Sequence, residues 1–268
     1  MAGGHRDWQE DLALIRQAAR EAGDVAHSFF GQSPEVWWKN EGRSPVSAAD
    51  FAANDRLQGL LASARPHYGW LSEETDDDSA RLSHDTLFVV DPIDGTRAFI
   101  AGERTWCVSV AVVHRGRPVA GVLVAPALGE EFSASVDEPA LKNGEPISVS
   151  HPDPALPLTL AIAEDLLRKV PAEQTHTIRR VRHVPSLAYR LAMTAEGSID
   201  GTVVKRNSHD WDLAAADIIL ERAGGRLLDA GGLPLVYNRE SVTHGMLHAG
   251  GGPALDKLRR FMPDEPAG

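Results

Sequence analysis

The run Leu87, Phe88, Val89, Val90 passes directly into Asp91, Pro92, Ile93, Asp94, Gly95 and Thr96. Four consecutive apolar residues that end in turn formers predict a buried strand over residues 87–91. Pro92 has no backbone N–H, so it is expected to stop the strand ladder and fix a turn. Asp91 and Asp94 then lie at the carboxyl end of the strand, where α/β folds place ligands. Carboxylates so placed can converge on hard cations, and the backbone N–H groups of Gly95 and Thr96, at the mouth of residues 97–101, can hold phosphate oxygens. A bare D-x-x-D-G is more simply a capping turn. The strand before it and the acidic residues elsewhere in the chain weigh against that reading.

With 27 basic and 38 acidic residues, the formal net charge is −11. Such a surface is poorly suited to a nucleic-acid polymer, so an anionic partner must be small and held locally, for example through bound cations. The single cysteine, Cys107, excludes an intramolecular disulfide framework and a cysteine-based zinc site, and its apolar surroundings predict a buried bystander. The eleven histidines are scattered, with no H-E-x-x-H, and neither G-x-x-x-x-G-K nor G-x-G-x-x-G occurs. Residues 1–8 are polar and no apolar run reaches spanning length, so a cytoplasmic protein without membrane contact is expected.

Leu12, Ile15, Ala18, Ala19, Ala22, Val25, Ala26 and Phe29 recur at helical spacing and predict a helix over residues 8–30. A hairpin-like stretch follows at 36–43. Ser47 and Asp50 have the spacing of a capping box, opening a second helix that runs to Ala64 before Pro66. Short strands are expected at 70–72 and 87–91, then an antiparallel meander at 106–114, 118–125 and 131–136. The Pro-rich stretch 151–157 predicts a boundary between an N-terminal α+β subdomain, residues 1–150, and a C-terminal α/β subdomain, residues 151–268. In the second, strands are expected at 158–163, 199–205 and 226–229, with helices at 186–197, 212–223 and 253–261. Gly224 and Gly225 end the middle helix.

Taken singly, the remaining polar signals have bland explanations. Glu73 and Glu74 pass into Thr75, Asp76, Asp77 and Asp78, which together read as a solvated charge run. Asp212 reads as an N-cap, Asp50 as a carboxylate in a helix's first turn, and Lys39, after Trp37 and Trp38, as a surface lysine. In order, type and spacing, however, Lys39, Ser44-Pro45-Val46 with Asp50, Ser72-Glu73-Glu74, D-P-I-D-G-T at 91–96, and Trp211-Asp212 with Ala214-Ala215 resemble the inositol monophosphatase superfamily. The resemblance runs from about Leu12 to Gly250.

It implies an α/β (α+β) fold, the five-layered αβαβα sandwich of the inositol monophosphatase and fructose-1,6-bisphosphatase type. It also implies a lithium-sensitive, Mg²⁺-dependent phosphatase, commonly a homodimer, acting on a small phosphorylated metabolite. Carried onto this chain, Glu73, Asp91 and the Ile93 carbonyl hold one Mg²⁺, and Asp91, Asp94 and Asp212 a second. Glu73 positions water or a third, weaker ion. Two cations about 4 Å apart can drive in-line displacement by water. Asp50 with Thr96 takes part in activating that water, the Gly95 and Thr96 amides bind phosphate, and Lys39 stands on the nucleophile side.

Substrate choice rests on fewer residues. Inositol phosphatases place a glutamate seven residues before the last metal aspartate, and here that position is Lys205, beside Arg206. A cation cannot accept hydrogen bonds from ring hydroxyls, but it can meet a second phosphate. Residues 44–50 and 71–74 are also similar to the 3′(2′),5′-bisphosphate nucleotidase branch, which implies adenosine 3′,5′-bisphosphate as substrate. Against that branch stand Arg97-Ala98-Phe99 after the Gly-Thr pair, and Pro185 before the substrate-side Ser186. Inositol 1-phosphate and histidinol phosphate are the alternatives within the same chemistry. A regulator that only binds metal or a phosphorylated ligand, and an acidic structural protein, are the alternatives outside it.

Overall fold

The computed structural model describes residues 7–32, 35–39, 44–153, 155–182 and 184–261. The chain begins with α1 (Gln9–Phe29), β1 (Val36–Lys39), β2 (Ser44–Ser47), α2 (Ala48–Ala64), β3 (Gly69–Ser72), β4 (Thr86–Asp94) and α3 (Thr96–Ile100). It continues through β5 (Cys107–His114), β6 (Arg117–Ala125), β7 (Glu130–Ser135), β8 (Glu138–Lys142) and β9 (Glu145–Pro146). Beyond the Pro-rich stretch come β10 (Leu158–Ala161), α4 (Glu164–Leu167), β11 (Ile178–Arg180), α5 (Leu187–Ala195), β12 (Gly201–Val204), β13 (Ser208–His209) and α6 (Asp210–Arg222). β14 (Gly225–Asp229), β15 (Thr243–His244), β16 (Leu247–Gly251) and α7 (Gly252–Phe261) complete it.

Two main sheets organise these elements. Strands β3 to β9 form a seven-stranded sheet in chain order, with β3 parallel to β4 and every later neighbour antiparallel. The second sheet has the order β11-β10-β12-β16-β14. On β4, Phe88 and Val90 pack with α1 and α2, whereas Leu87 and Val89 join the core made with α5 and α6. The opposite side of that α5/α6 layer meets Leu227, Leu247 and Ala249 of the second sheet, whose far face carries Leu158, Leu160 and Val203 against α7 and Leu166 of α4. The five layers are therefore αβαβα, as expected from the family likeness. Because β4 is covered on both faces, its sequence runs apolar without alternation.

Close approach between layers sets residue size. A Cβ on Gly121 of β6 would lie 2.6 Å from Ile218 Cγ2 and 2.7 Å from the Ala215 carbonyl, so α6 can lie directly on the sheet only where β6 has a glycine. The buried Ala214, Ala215 and Ala216 supply the matching thin face of the helix.

Pro92 does not stop the ladder. The β4–β5 pairing is Asp91 opposite Ser109 and Asp94 opposite Cys107, three steps on one strand against two on the other. This is a bulge, and it corrects the expected strand end at residue 91. In a regular strand, residues three apart face opposite sides. The extra residue restores the phase, so Asp91 and Asp94 both oppose positions on the α5/α6 side of β5.

A buried carboxylate in α6 gives the fold a pH-dependent term. Asp217 accepts from Tyr237 Oη at 2.9 Å, and Arg117 Nη1 lies 3.4 Å away, yet burial outweighs these partners and pushes its pKa up to about 6. A group that binds its proton more tightly folded than unfolded adds stability below the unfolded pKa and loses it as pH rises through the folded one. Stability measured by denaturant unfolding is thus expected to fall between pH 4 and 6 by about 1.4 kcal/mol per pH unit more in the native chain than in Asp217→Asn. Equal slopes would show that Asp217 titrates normally. Among the described residues, no helix is long and apolar enough to cross a membrane.

Candidate active site

The site forms where the carboxyl ends of β3 and β4 meet the amino ends of α2, α3, α5 and α6. Each acidic residue is fixed by the local structure that carries it. At α2, Ser47 and Asp50 form the capping box anticipated from their spacing, with the Ser47 N–H and hydroxyl donating to Asp50 Oδ2 at 2.8 and 2.6 Å. The other oxygen, Oδ1, accepts from Thr96 Oγ1 at 3.1 Å. The α6 start repeats the device: His209 is the N-cap, and Asp212 at the third helical position accepts from the His209 N–H at 2.7 Å. This corrects the expectation that Asp212 is the cap itself. A carboxylate has two oxygens, so securing a helix with one does not spend the other.

Glu73 is placed by β3 pairing with β4, its N–H donating to the Val90 carbonyl at 3.2 Å. A side-chain chain tethers the same turn to α2: Ser72 Oγ donates to Asn54 Oδ1 at 2.7 Å, and Asn54 reaches Thr75 at 3.4 Å. The acidic run therefore divides. Glu73 and Glu74 are half-buried, whereas Asp76, Asp77 and Asp78 are exposed, with Asp77 paired to Arg81 and Asp78 capping the following turn.

Carboxylate oxygens of Glu73, Asp91 and Asp212 lie within 4.8 Å of one another. Burial first, and then the charges of Glu73, Asp94, Asp212 and Asp50, hold Asp91 well above the usual carboxylate range. Asp91 Oδ1 accepts from the Ile93 N–H at 3.0 Å, and the Ile93 carbonyl, 3.1 Å from Thr96 Oγ1, is the alternative acceptor for the one hydroxyl proton that Asp50 also attracts. A cluster of oxygen donors that repel one another suits a hard divalent cation, which would neutralise them.

Asp94 stands apart from that trio. Its Oδ2 accepts from the Ser186 hydroxyl and from the Ala188 N–H at 2.7 Å, both at the amino end of α5. Burial, and then the charge of Asp212, push its pKa up to about 7 against those hydrogen bonds. Ser186, expected on the substrate side, is fully buried, and its hydroxyl serves Asp94 and the Tyr189 N–H. Cys107 is buried as expected, but it is part of the wall of the site, 3.6 Å from Ser186 Oγ and 4.0 Å from Asp94 Oδ2. Burial pushes its thiol pKa far up, which leaves it a poor nucleophile.

Gly95 precedes α3 with φ +97°, and a Cβ there would lie 3.2 Å from Ser186 Cβ. Both facts favour glycine between the two aspartates and Thr96. Lys39 belongs to β1 by its backbone, and its side chain lies outside the described residues. Lys205 Nζ pairs with Asp165 at 2.7 Å in an exposed position, a partner forty residues earlier that no local pattern announces. It lines a cavity of about 320 Å³ together with Leu187, Arg190, Arg206, Ser208 and Asp212. Arg190 is absent from the sequence-based site. Its one signal is a lone cation inside an otherwise apolar helix.

The inositol monophosphatase family model matches residues 7–257. The chain is 34% identical to a glucose-1-phosphate thymidylyltransferase of Streptomyces griseus, over 90% of this chain and 96% of that one. It is 31% identical to a histidinol-phosphatase of Mycobacterium tuberculosis, over 89% and 95% of the two chains. A 3′(2′),5′-bisphosphate nucleotidase CysQ of Aggregatibacter actinomycetemcomitans is 28% identical, over 87% and 90%. Among solved structures, the inositol monophosphatase from Anabaena superposes with a TM-score of 0.75 at 28% identity, covering 95% of each chain. These relatives carry different names at similar identities, while the family match spans nearly the whole chain. The chain belongs to the inositol monophosphatase family and is an enzyme of its phosphatase class.

Proposed function

We propose that this chain is a Mg²⁺-dependent phosphomonoesterase, with adenosine 3′,5′-bisphosphate as its substrate. The observation that carries the phosphatase reading is the convergence of Glu73, Asp91 and Asp212 beside the Asp50–Thr96 pair. In this reading Glu73, Asp91 and the Ile93 carbonyl hold one Mg²⁺, and Asp91, Asp94 and Asp212 a second. Glu73 also serves a third, weaker ion or a water. When bound, the cations polarise the phosphate, favour deprotonation of water and offset charge on the leaving oxygen.

The protein's own groups do the rest. Thr96 donates to Asp50, so its hydroxyl oxygen can accept a proton from water while its own proton passes to Asp50. Burial, opposed by the hydrogen bonds from Ser47 and Thr96, raises the pKa of Asp50, which suits it to take that proton. The Gly95 and Thr96 amides, at the start of α3, hold phosphate oxygens. Fixing Asp94 through α5 keeps one carboxylate oxygen occupied and restricts how the other can turn.

The cations Arg190, Lys205 and Arg206 on the cavity that reaches Asp212, of which Lys205 is paired with Asp165, support a doubly phosphorylated substrate over inositol 1-phosphate. Phosphate release from adenosine 3′,5′-bisphosphate, inositol 1-phosphate and histidinol phosphate, measured with Mg²⁺ and then with added Li⁺, tests the assignment. The bisphosphate is expected to be preferred by about 10-fold or more in kcat/KM, an advantage matching one added charge-assisted contact. Preference for inositol 1-phosphate would overturn the substrate, and no release from any phosphate ester would favour a regulator that only binds. The subdomain boundary near residues 151–157, a homodimer and a cytoplasmic location belong to the same proposal.

A further inference from the structure

Arg190 borders this cavity and has no salt-bridge partner among the described residues. It sits in the first half of α5, between the buried Tyr189 and Leu191. Its Nε is enclosed and has no hydrogen-bond partner among the described residues. Burial works against its charge, and only the through-space attraction of Asp94 opposes it. Lys205, in contrast, spends its ammonium on Asp165 at 2.7 Å. Arg190 as a residue is half-buried, so an anion arriving in the cavity meets a cation whose burial is otherwise offset only by Asp94.

The surroundings limit what that anion can be. Arg190 lines the cavity that also contains Leu187, Lys205, Arg206 and Asp212. Asp212 belongs to the carboxylate cluster, so a substrate whose reacting phosphate sits there extends its remaining atoms into the cavity toward Arg190. A planar guanidinium recognises two oxygens of a phosphate at once, which an ammonium cannot do.

We infer that Arg190 selects substrates by binding a second phosphate, distant from the one that is hydrolysed. This rests on the phosphatase reading above and deepens it: the discriminating cation is Arg190, with Lys205 held at the rim by Asp165. A substrate with an amine in that position, such as histidinol phosphate, meets a like charge there and is disfavoured.

Two matched pairs test this: adenosine 3′,5′-bisphosphate against adenosine 3′-monophosphate, and inositol 1,4-bisphosphate against inositol 1-phosphate. The quantity is the ratio of kcat/KM for the bisphosphate to that for its monophosphate. In the native enzyme it is expected to exceed about 10 in at least one pair, the size of one charged hydrogen-bonded contact. In Arg190→Gln that ratio is expected to collapse about 10- to 100-fold, through KM, with monophosphate turnover nearly unchanged. Arg190→Lys, which keeps the charge and loses the fork, is expected to fall between them, and it supplies the same test if Arg190→Gln does not fold.

Preference confined to the inositol pair would refute the nucleotidase assignment and leave the role of Arg190 standing. A native ratio near 1 in both pairs, or equal losses on bisphosphate and monophosphate in the variants, would overturn the inference. The second result would place Arg190 on the reacting phosphate or on Asp94.

Discussion

Asp91→Asn is expected to lower Mg²⁺-supported phosphate release by about 10³-fold or more, since it removes a ligand shared by both proposed cations, each worth several kcal/mol to the transition state. The same change is expected to make the metal-free protein more stable above pH 7. Asp91 is held well above the usual carboxylate range by burial and by Glu73, Asp94, Asp212 and Asp50. Such a group favours folding while protonated and opposes it once ionised. Asparagine removes the charge and keeps an oxygen to accept from the Ile93 N–H, a bond of 3.0 Å in the native chain. Thermal unfolding with and without Mg²⁺ reads both effects: the native chain gains stability from the ion, and Asp91→Asn starts higher and gains little. A variant that still releases phosphate at the native rate would remove Asp91 from the site.

Thr96→Ala is expected to reduce kcat by about 10²- to 10³-fold while leaving the Mg²⁺ concentration for half-maximal activity nearly unchanged. Thr96 Oγ1 reaches Asp50 Oδ1 and the Ile93 carbonyl, both at 3.1 Å, and is not one of the three clustered carboxylates. Its loss therefore separates proton transfer from metal binding. This substitution is more informative than Asp50→Asn, because Asp50 Oδ2 also closes the α2 capping box. An Mg²⁺ requirement that rises in step with the fall in kcat would make Thr96 a support for the cations instead.

Much of this arrangement is legible in the amino-acid sequence, because its signals are local. The meander at β5 to β7 alternates with clear turns, and α2 starts within a residue of the place marked by Ser47 and Asp50. β16 escapes a sequence reading because Leu-His-Ala-Gly-Gly carries little strand preference, and it becomes a strand through pairing with β12 and β14 on either side. The two aspartates of the central motif can be placed at a strand end from their neighbours, but not on one face. That requires the bulge between Asp91 and Asp94, which depends on the pairing with Ser109 and Cys107 of β5. Long-range partners are the least visible. Ser186 binds Asp94 across ninety-two residues, and Lys205 meets Asp165 forty residues earlier, pairings that no local pattern announces. Arg190 reads as one more helix residue in the sequence, since its enclosure without an acceptor is produced only by tertiary packing.

The carboxylates of Glu73, Asp91 and Asp212 are the centre of this assignment, and their chemistry is tested most directly by phosphate release from chelator-treated protein as Mg²⁺ is returned. Release from adenosine 3′,5′-bisphosphate is expected to be absent without the ion and to rise saturably as it is added. An unchanged rate in excess chelator would contradict it.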